Sequence, residues 1–170
     1  MQIVITDSSG LIDLKKGGLF RAMLALPFEF VIPNLLFEDE LLSLTDDEKQ
    51  FLLYGGLKVQ ALSGPQVTQA YQYRMEFTQL SLHDNFALVL AENTKACVLL
   101  TGDENLKKIA RQKDVKAHGV LWLLDLIFKH KAAPVHLLMD AVNKYIEDPF
   151  VWLPDEELRK RLDEYRDYTG

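Results

Sequence analysis

Two apolar runs that each lead almost directly into an aspartate constrain the fold of this chain most strongly. The run Ile3–Ile5 is followed by Asp7, and the run Cys97–Leu100 is followed by Asp103. A segment that is apolar at every position fits a strand buried on both faces, as in a parallel sheet with helices on each side. The sequence therefore predicts an α/β fold with buried parallel strands.

Candidate strands and helices alternate along the whole chain. Strands are predicted over residues 3–5, 28–32, 57–62, 97–100 and 115–117, with residues 150–152 extended. Helices are predicted over residues 11–26 with a break at 17–18, and over 34–44, 45–54, 65–77, 81–91, 104–112, 119–128, 134–146 and 154–168. This alternation is typical of an α/β sandwich with a mostly parallel central sheet.

The size and composition exclude several classes of protein. A chain of 170 residues, 48% of them hydrophobic, suffices for one domain with a sizeable core. The lone cysteine, Cys97, cannot form an internal disulfide and suits a reducing compartment. No apolar run is long enough to span a bilayer, and the N-terminal run lacks the features of a signal peptide, so we expect a cytoplasmic protein without a membrane partner. The net charge of −6 excludes a general polyanion binder.

Acidic residues recur where the predicted strands end and helices begin. Asp7 and Asp103 follow two strands, Asp84 falls in the first turn of the helix after Ser81, and the run Glu38-Asp39-Glu40 lies early in another helix. Neighbouring parallel strands end at the same edge of a sheet, so we expect these acids to share one cleft. Each acid taken singly is better explained as a helix cap, whereas the acids taken together, with their order and spacing, favour a functional site.

Several carboxylates in one cleft repel each other unless a cation neutralises them. Mg²⁺ and Mn²⁺ prefer such oxygen ligands and can activate water for attack on a phosphodiester. No Cys/His cluster has zinc spacing, and no P-loop, dinucleotide-binding glycine motif or Ser nucleophile elbow is present. A haloacid-dehalogenase-like phosphatase would need a second aspartate at the position of Ser9.

The order of these acidic segments resembles that of PIN-domain proteins, the metal-dependent nuclease fold of VapC-type toxins in bacterial toxin-antitoxin modules. The matching segments are ITDSSGLIDL around Asp7, PNLLFEDELL around Glu40, LSLHDNFALVLA around Asp84, LLTGDENL around Asp103 and the closing HGVLWLLDLI. The resemblance covers residues 3–128 and implies a PIN-like three-layer α/β/α sandwich with an extra C-terminal helical segment.

The resemblance also implies a site and an activity. Asp7, Asp84, Asp103 and an acid of the 38–40 run would hold Mg²⁺ or Mn²⁺, and Glu40 is favoured because the family commonly has acid-Leu there; Glu38 and Asp39 stay open. Ser9 and Thr101 match hydroxyl positions of the family beside the metal and the last aspartate. The implied activity is an endoribonuclease that hydrolyses RNA phosphodiesters with a metal-activated water, and the implied partner is an antitoxin protein.

Basic residues after Asp103 could contact the phosphates of the substrate. Lys107 and Arg111 are four residues apart and share a helix face, and Lys108 lies next to them. An ordinary solvated helix face explains the same pattern equally well. We expect single-stranded or looped RNA as the substrate because unstacked nucleotides enter a narrow cleft more easily than a duplex does.

The expected organisation is a PIN-like nuclease domain over residues 1–130 with a helical extension over 131–170 packed on it, in a homodimer. The main alternative is a catalytically weak PIN-fold protein that binds or processes RNA. A second alternative is another metal-dependent phosphate enzyme, such as a DNA nuclease.

Overall fold

The computed structural model of the protein describes residues 1–168, so residues 169–170 of the predicted extension lie outside the described part. A single five-stranded sheet has the order β3-β2-β1-β4-β5. All neighbouring strands are parallel. The strands are β1 (Gln2–Thr6), β2 (Phe28–Pro33), β3 (Lys58–Gln60), β4 (Cys97–Leu100) and β5 (Lys116–His118).

Helices in two groups cover the sheet, which gives the expected three-layer α/β/α sandwich. The helices are α1 (Ser8–Gly17), α2 (Phe20–Leu24), α3 (Asn34–Asp39), α4 (Asp46–Tyr54), α5 (Gly64–Glu76), α6 (Leu82–Glu92), α7 (Glu104–Gln112), α8 (Val120–Lys129), α9 (Val135–Glu147) and α10 (Asp155–Asp167). Helices α1, α2, α8, α9 and α10 pack against one another, whereas α6 packs against β1, β2, β4, α3, α5 and α7. The apolar core fills the space between these layers.

The strand order reverses between β1 and β4, and this position determines where a site can form. The chain runs from β1 outward to β2 and β3, then returns to place β4 on the other side of β1. Open α/β sheets bind ligands at the carboxyl ends of the strands that flank such a reversal. The backbone N–H of Asp7 donates a 3.1 Å hydrogen bond to the carbonyl of Leu100, which joins the two strand ends directly.

Most predicted elements are confirmed because their local signals are strong. The helix start at Thr45 is a capping box with Glu48, and the start at Ser81 is a capping box with Asp84. The strand over 97–100 and the helix over 104–112 have the predicted bounds. Cys97 is buried, as its apolar context predicts.

The break predicted at residues 17–18 is confirmed, because Gly18 takes a left-handed φ of 68° that ends α1, and α2 begins at Phe20. Two predictions about the bounds of elements are wrong. Helix α3 stops at Asp39 and does not reach residue 44, and Leu42 in the predicted helical segment is exposed. Residues 57–62 form only the short β3. Residues 150–152, predicted to be extended, lie in no regular strand.

The C-terminal helices pack on the same sandwich as the first helix. Helix α9 packs against α1 and α8, and α10 packs against α9 with Leu158, Leu162 and Tyr165 buried. The hydroxyl of Tyr145 on α9 donates a 2.6 Å hydrogen bond to the carbonyl of Asp13 on α1. Among residues 1–168, every helix falls short of the length and apolar character that a bilayer crossing would require.

Candidate active site

Asp7 is the buried centre of the candidate site. It is the N-cap of α1, and its Oδ1 accepts hydrogen bonds from the backbone N–H of Gly10 at 2.9 Å and from the hydroxyl of Ser9 at 2.8 Å. The side chain is 3% exposed, and its burial raises the pKa of the carboxyl to about 7, although these hydrogen bonds oppose the shift. The capping role and a metal-ligand role are therefore compatible in this one residue.

Ser9 and Thr101 connect Asp7 to the end of β4. The hydroxyl of Thr101 donates to Oδ2 of Asp7 and accepts the backbone N–H of Asp103 at 3.0 Å. The hydroxyl of Ser9 accepts the backbone N–H of Gly102 at 2.8 Å. Thr101 is fully buried, so it acts on the site by way of Asp7 and Asp103. These hydrogen bonds fix the two aspartate-bearing junctions relative to each other.

Asp84 and Asp103 each use one carboxylate oxygen to cap a helix. Oδ2 of Asp84 accepts the backbone N–H of Ser81 at 2.9 Å, and Oδ1 of Asp103 accepts the backbone N–H of Leu106 at 2.8 Å. The second oxygen of each carboxylate has no hydrogen-bond partner within residues 1–168. Each acid is therefore held in place while one of its oxygens stays available to a ligand.

The three candidates of the 38–40 run have different surroundings. Oε1 of Glu40 accepts a 2.8 Å hydrogen bond from the hydroxyl of Ser8, directly beside Asp7. Asp39 instead lies 3.3 Å from the ring of His83. The charge of Glu40 also contributes to the raised pKa of Asp84. These contacts favour Glu40 as the acid of this run that faces the cleft.

The electrostatics of the cleft fit a divalent cation. Burial raises the pKa of Asp84, and the charges of Asp103 and Glu40 raise it further. No ion pair with a basic side chain offsets Asp7 or Asp84 within the described residues. Within residues 1–168, no three His, Cys, Asp or Glu side chains lie close enough together to hold one ion. Because Mg²⁺ often uses only one or two carboxylates and keeps several waters, the donor set fits a largely hydrated ion.

The predicted phosphate-contact residues lie in three different environments. Lys107 borders the cleft beside Asp103 and forms a 2.8 Å ion pair with Glu104. Lys108 is exposed on the surface of α7. Arg111 donates a 2.9 Å hydrogen bond to the carbonyl of Ala117, and it lines a separate depression beside β5. Lys107 is thus the one of the three that borders the acidic site.

Sequence reasoning missed Asp13 and the segment that faces it. Asp13 lies one helical turn and a half after Ser8 on α1, and its carboxylate lies against Gly102. Burial raises the pKa of Asp13 to about 6, and the charges of Lys16 and Lys107 oppose this shift. Asp13, Lys107 and residues 150–153 line one cleft. The one sequence signal for Asp13 was its position within the segment ITDSSGLIDL around Asp7.

A family model described as a PIN domain matches residues 3–167. The chain belongs to the PIN-domain family. No curated protein matches the chain at a significant level. The PIN-domain match runs through α9 and α10, so the C-terminal helices lie inside the matched region. PIN domains are generally nucleases that use divalent metal ions, which agrees with the acid-lined cleft at the strand-order reversal.

Proposed function

We propose that this PIN domain is a Mg²⁺- or Mn²⁺-dependent endoribonuclease. The observation that carries the proposal is that burial, and then the charges of Asp103 and Glu40, raise the pKa of Asp84 beside the buried Asp7. Within residues 1–168, no basic side chain pairs with Asp7 or Asp84. Asp7, Glu40, Asp84 and Asp103 would hold the ion, some of them through its bound waters. When bound, the ion would supply charge stabilisation for the phosphodiester and lower the pKa of a water nucleophile.

The residues of the chain would position both ion and substrate. Ser8 holds Glu40, and Thr101 holds Asp7 and the backbone of Asp103, so the acids keep their orientation without the substrate. Lys107 would contact a phosphate next to the scissile bond. Lys108 and Arg111 would contribute to binding only if the RNA strand continues along α7.

The expected setting is that of a toxin in a toxin-antitoxin module. The supporting observation is the resemblance of the acidic segments to VapC-type toxins. In this setting the protein is cytoplasmic, forms a homodimer and binds an antitoxin that blocks the acidic cleft. Growth arrest on expression, relieved by Asp84→Asn, would support the toxin role, and normal growth with an active purified enzyme would contradict it.

A catalytically weak PIN domain that binds or processes RNA is the second candidate. The favouring observation is that, among residues 1–168, no three metal-ligand side chains converge on one point. Such a protein would bind single-stranded RNA equally well with and without divalent ions and would not cut it.

Cleavage of a labelled single-stranded RNA by the purified protein separates the two candidates. We expect cleavage with Mg²⁺ or Mn²⁺, none in EDTA, and a loss in Asp7→Asn, Asp84→Asn and Asp103→Asn that exceeds the roughly 10–100-fold typical of outer-shell changes. Glu40→Gln should lose activity, whereas the matched changes Glu38→Gln and Asp39→Asn should keep it. A DNA strand of the same sequence tests the sugar preference. Activity that persists in EDTA, or in all three aspartate variants, would refute the proposal.

A further inference from the structure

A cleft of about 250 Å³ lies beside the acidic site, and part of its lining comes from residues outside the acidic segments. One side is formed by Ser9, Gly102 and Asp103 at the ends of β1 and β4, with Lys107 close by. The other side is formed by residues 150–153, the segment between α9 and α10. Ser9 and Asp103 therefore belong both to the candidate active site and to this cleft, which extends toward the C-terminal segment.

The segment 150–153 presents two aromatic rings to solvent. Phe150 is 79% exposed and Trp152 is 90% exposed, whereas Val151 and Leu153, which alternate with them, pack against the core. The backbone N–H of Phe150 donates a 2.8 Å hydrogen bond to Asp148, and α10 begins directly after Pro154. The segment is thus anchored by its inward residues and by both ends, with its aromatic rings facing outward.

The chemistry of this wall matches single-stranded nucleic acid better than an apolar protein surface. Proteins that bind single strands combine aromatic rings on which bases stack with basic groups that contact the backbone. Here Phe150, Trp152 and Lys107 line one cleft, which Asp103 of the acidic site also lines, and the ammonium group of Lys107 pairs with Glu104 at 2.8 Å. An apolar protein surface would leave the charges of Lys107 and Asp103 in the same cleft without a polar partner.

We propose that Phe150 and Trp152 form a stacking site for an unpaired base of the RNA strand, next to the phosphodiester held at the acidic site. This inference rests on the proposed function and names the feature of the substrate that is recognised. The site selects unpaired bases, because a base within a duplex has no exposed face for stacking.

The fluorescence of Trp152 provides a direct test, since the chain contains only two tryptophans. The other, Trp122, is stacked between Phe28 and His118. Titration of the full-length protein in EDTA with a short single-stranded RNA should quench the tryptophan emission. The quenching should persist in Trp122→Phe and disappear in Trp152→Ala. An oligonucleotide of the same length with abasic positions should leave the emission unchanged.

The dissociation constant gives a second readout. Trp152→Ala and Phe150→Ala should each weaken RNA binding roughly 10-fold, the order expected for one stacked base. Tyr71→Ala, which removes an exposed ring from α5, should leave binding unchanged and serves as the matched control. For the abasic strand, the wild type and Trp152→Ala should bind equally.

Several outcomes would overturn the stacking site. The first two are unchanged RNA affinity in both Phe150→Ala and Trp152→Ala, and equal quenching by the abasic strand. The third is tryptophan emission that changes with protein concentration and not with RNA, because this result would place Phe150 and Trp152 in a dimer interface. Failure of the nuclease proposal is distinguishable: RNA that quenches Trp152 but is never cut contradicts the nuclease and supports the stacking site. Normal RNA cleavage by the wild type, together with unchanged RNA affinity in Phe150→Ala and Trp152→Ala, supports the nuclease and contradicts the stacking site.

Discussion

The hydroxyl of Ser8 donates a 2.8 Å hydrogen bond to Oε1 of Glu40. This contact links the first residue of α1 to the C-cap residue that follows α3. It holds the carboxylate of Glu40 at the residue next to Asp7, whereas neighbouring Asp39 pairs with His83. A residue that no metal-ligand pattern would single out therefore holds one acid of the 38–40 run beside Asp7.

Ser8→Ala should weaken Mn²⁺ binding about 10-fold, the lower end of the effect of losing a residue that orients a ligand. The fold should stay intact because Asp7, and not Ser8, caps α1. Isothermal titration with Mn²⁺ measures the change. Thr94→Ala is the control, since it also removes a hydroxyl that donates a hydrogen bond, in this case to the carbonyl of Leu90, but Thr94 lies beyond the end of α6 that is far from Asp84. Equal Mn²⁺ affinity in Ser8→Ala and wild type would refute the orienting role.

The raised pKa of Asp7 predicts that the metal-free protein loses stability as the pH rises. In the unfolded chain the carboxyl ionises near its ordinary value of 3.8, whereas in the folded chain it ionises at about 7. Between these values the folded state binds more protons than the unfolded state, so the free energy of unfolding falls as pH increases. The contribution is fully present below the lower value and is lost above the higher one.

Urea denaturation in EDTA at several pH values between these limits measures this effect. Asp7→Asn should flatten the decline, and added Mg²⁺ should restore wild-type stability at high pH by binding the ionised carboxylate. Asp13→Asn is a useful comparison, because the pKa of Asp13 is raised to about 6 and its share of the decline should end at a lower pH. Equal slopes in wild type and Asp7→Asn would contradict the prediction.

Thr101→Val should both destabilise the fold and impair the site. The hydroxyl of Thr101 bonds the carboxylate of Asp7 and the backbone N–H of Asp103, and its loss leaves buried polar groups without a partner. Such a loss costs about 1–3 kcal/mol. Thermal unfolding and RNA cleavage measure the two effects. Thr101→Ser keeps the hydroxyl and should lie close to wild type in both, and a Thr101→Val protein with normal cleavage would contradict the positioning role.

Gly10→Ala should destabilise the protein by about 1–3 kcal/mol, because an added methyl group has no room. A Cβ at Gly10 would lie 2.7 Å from the hydroxyl of Thr6 and 3.1 Å from the carbonyl of Leu100. Helix α1 therefore approaches the ends of β1 and β4 closely only because residue 10 is glycine. Gly64→Ala, at the first residue of α5 with no atom within 4 Å of the added Cβ, should be neutral in the same thermal unfolding experiment.

The sequence predicted the elements whose signals are local. The apolar runs at β1 and β4 and the capping boxes at Thr45 and Ser81 each depend on residues close together in the chain. The end of α3 could not be predicted in this way. The apolar residues beyond Asp39 continue a helical pattern, yet Leu41 turns into the core while Leu42 is exposed.

The sequence predicted the acidic residues of the candidate site but not the residues that hold them in place. A strand end followed by an aspartate is visible in sequence, which is why Asp7 and Asp103 stood out. The bond from Ser8 to Glu40 and the wall formed by Phe150 and Trp152 depend on contacts between distant segments. The sequence around an exposed aromatic residue does not reveal which cleft it faces.

The return of β4 to the side of β1 has a consequence for biosynthesis. The contact between Asp7 and Thr101 joins residues 94 positions apart. A chain still growing on the ribosome carries Asp7 well before Thr101 and Asp103, so it cannot complete the acidic cleft until these later residues have emerged.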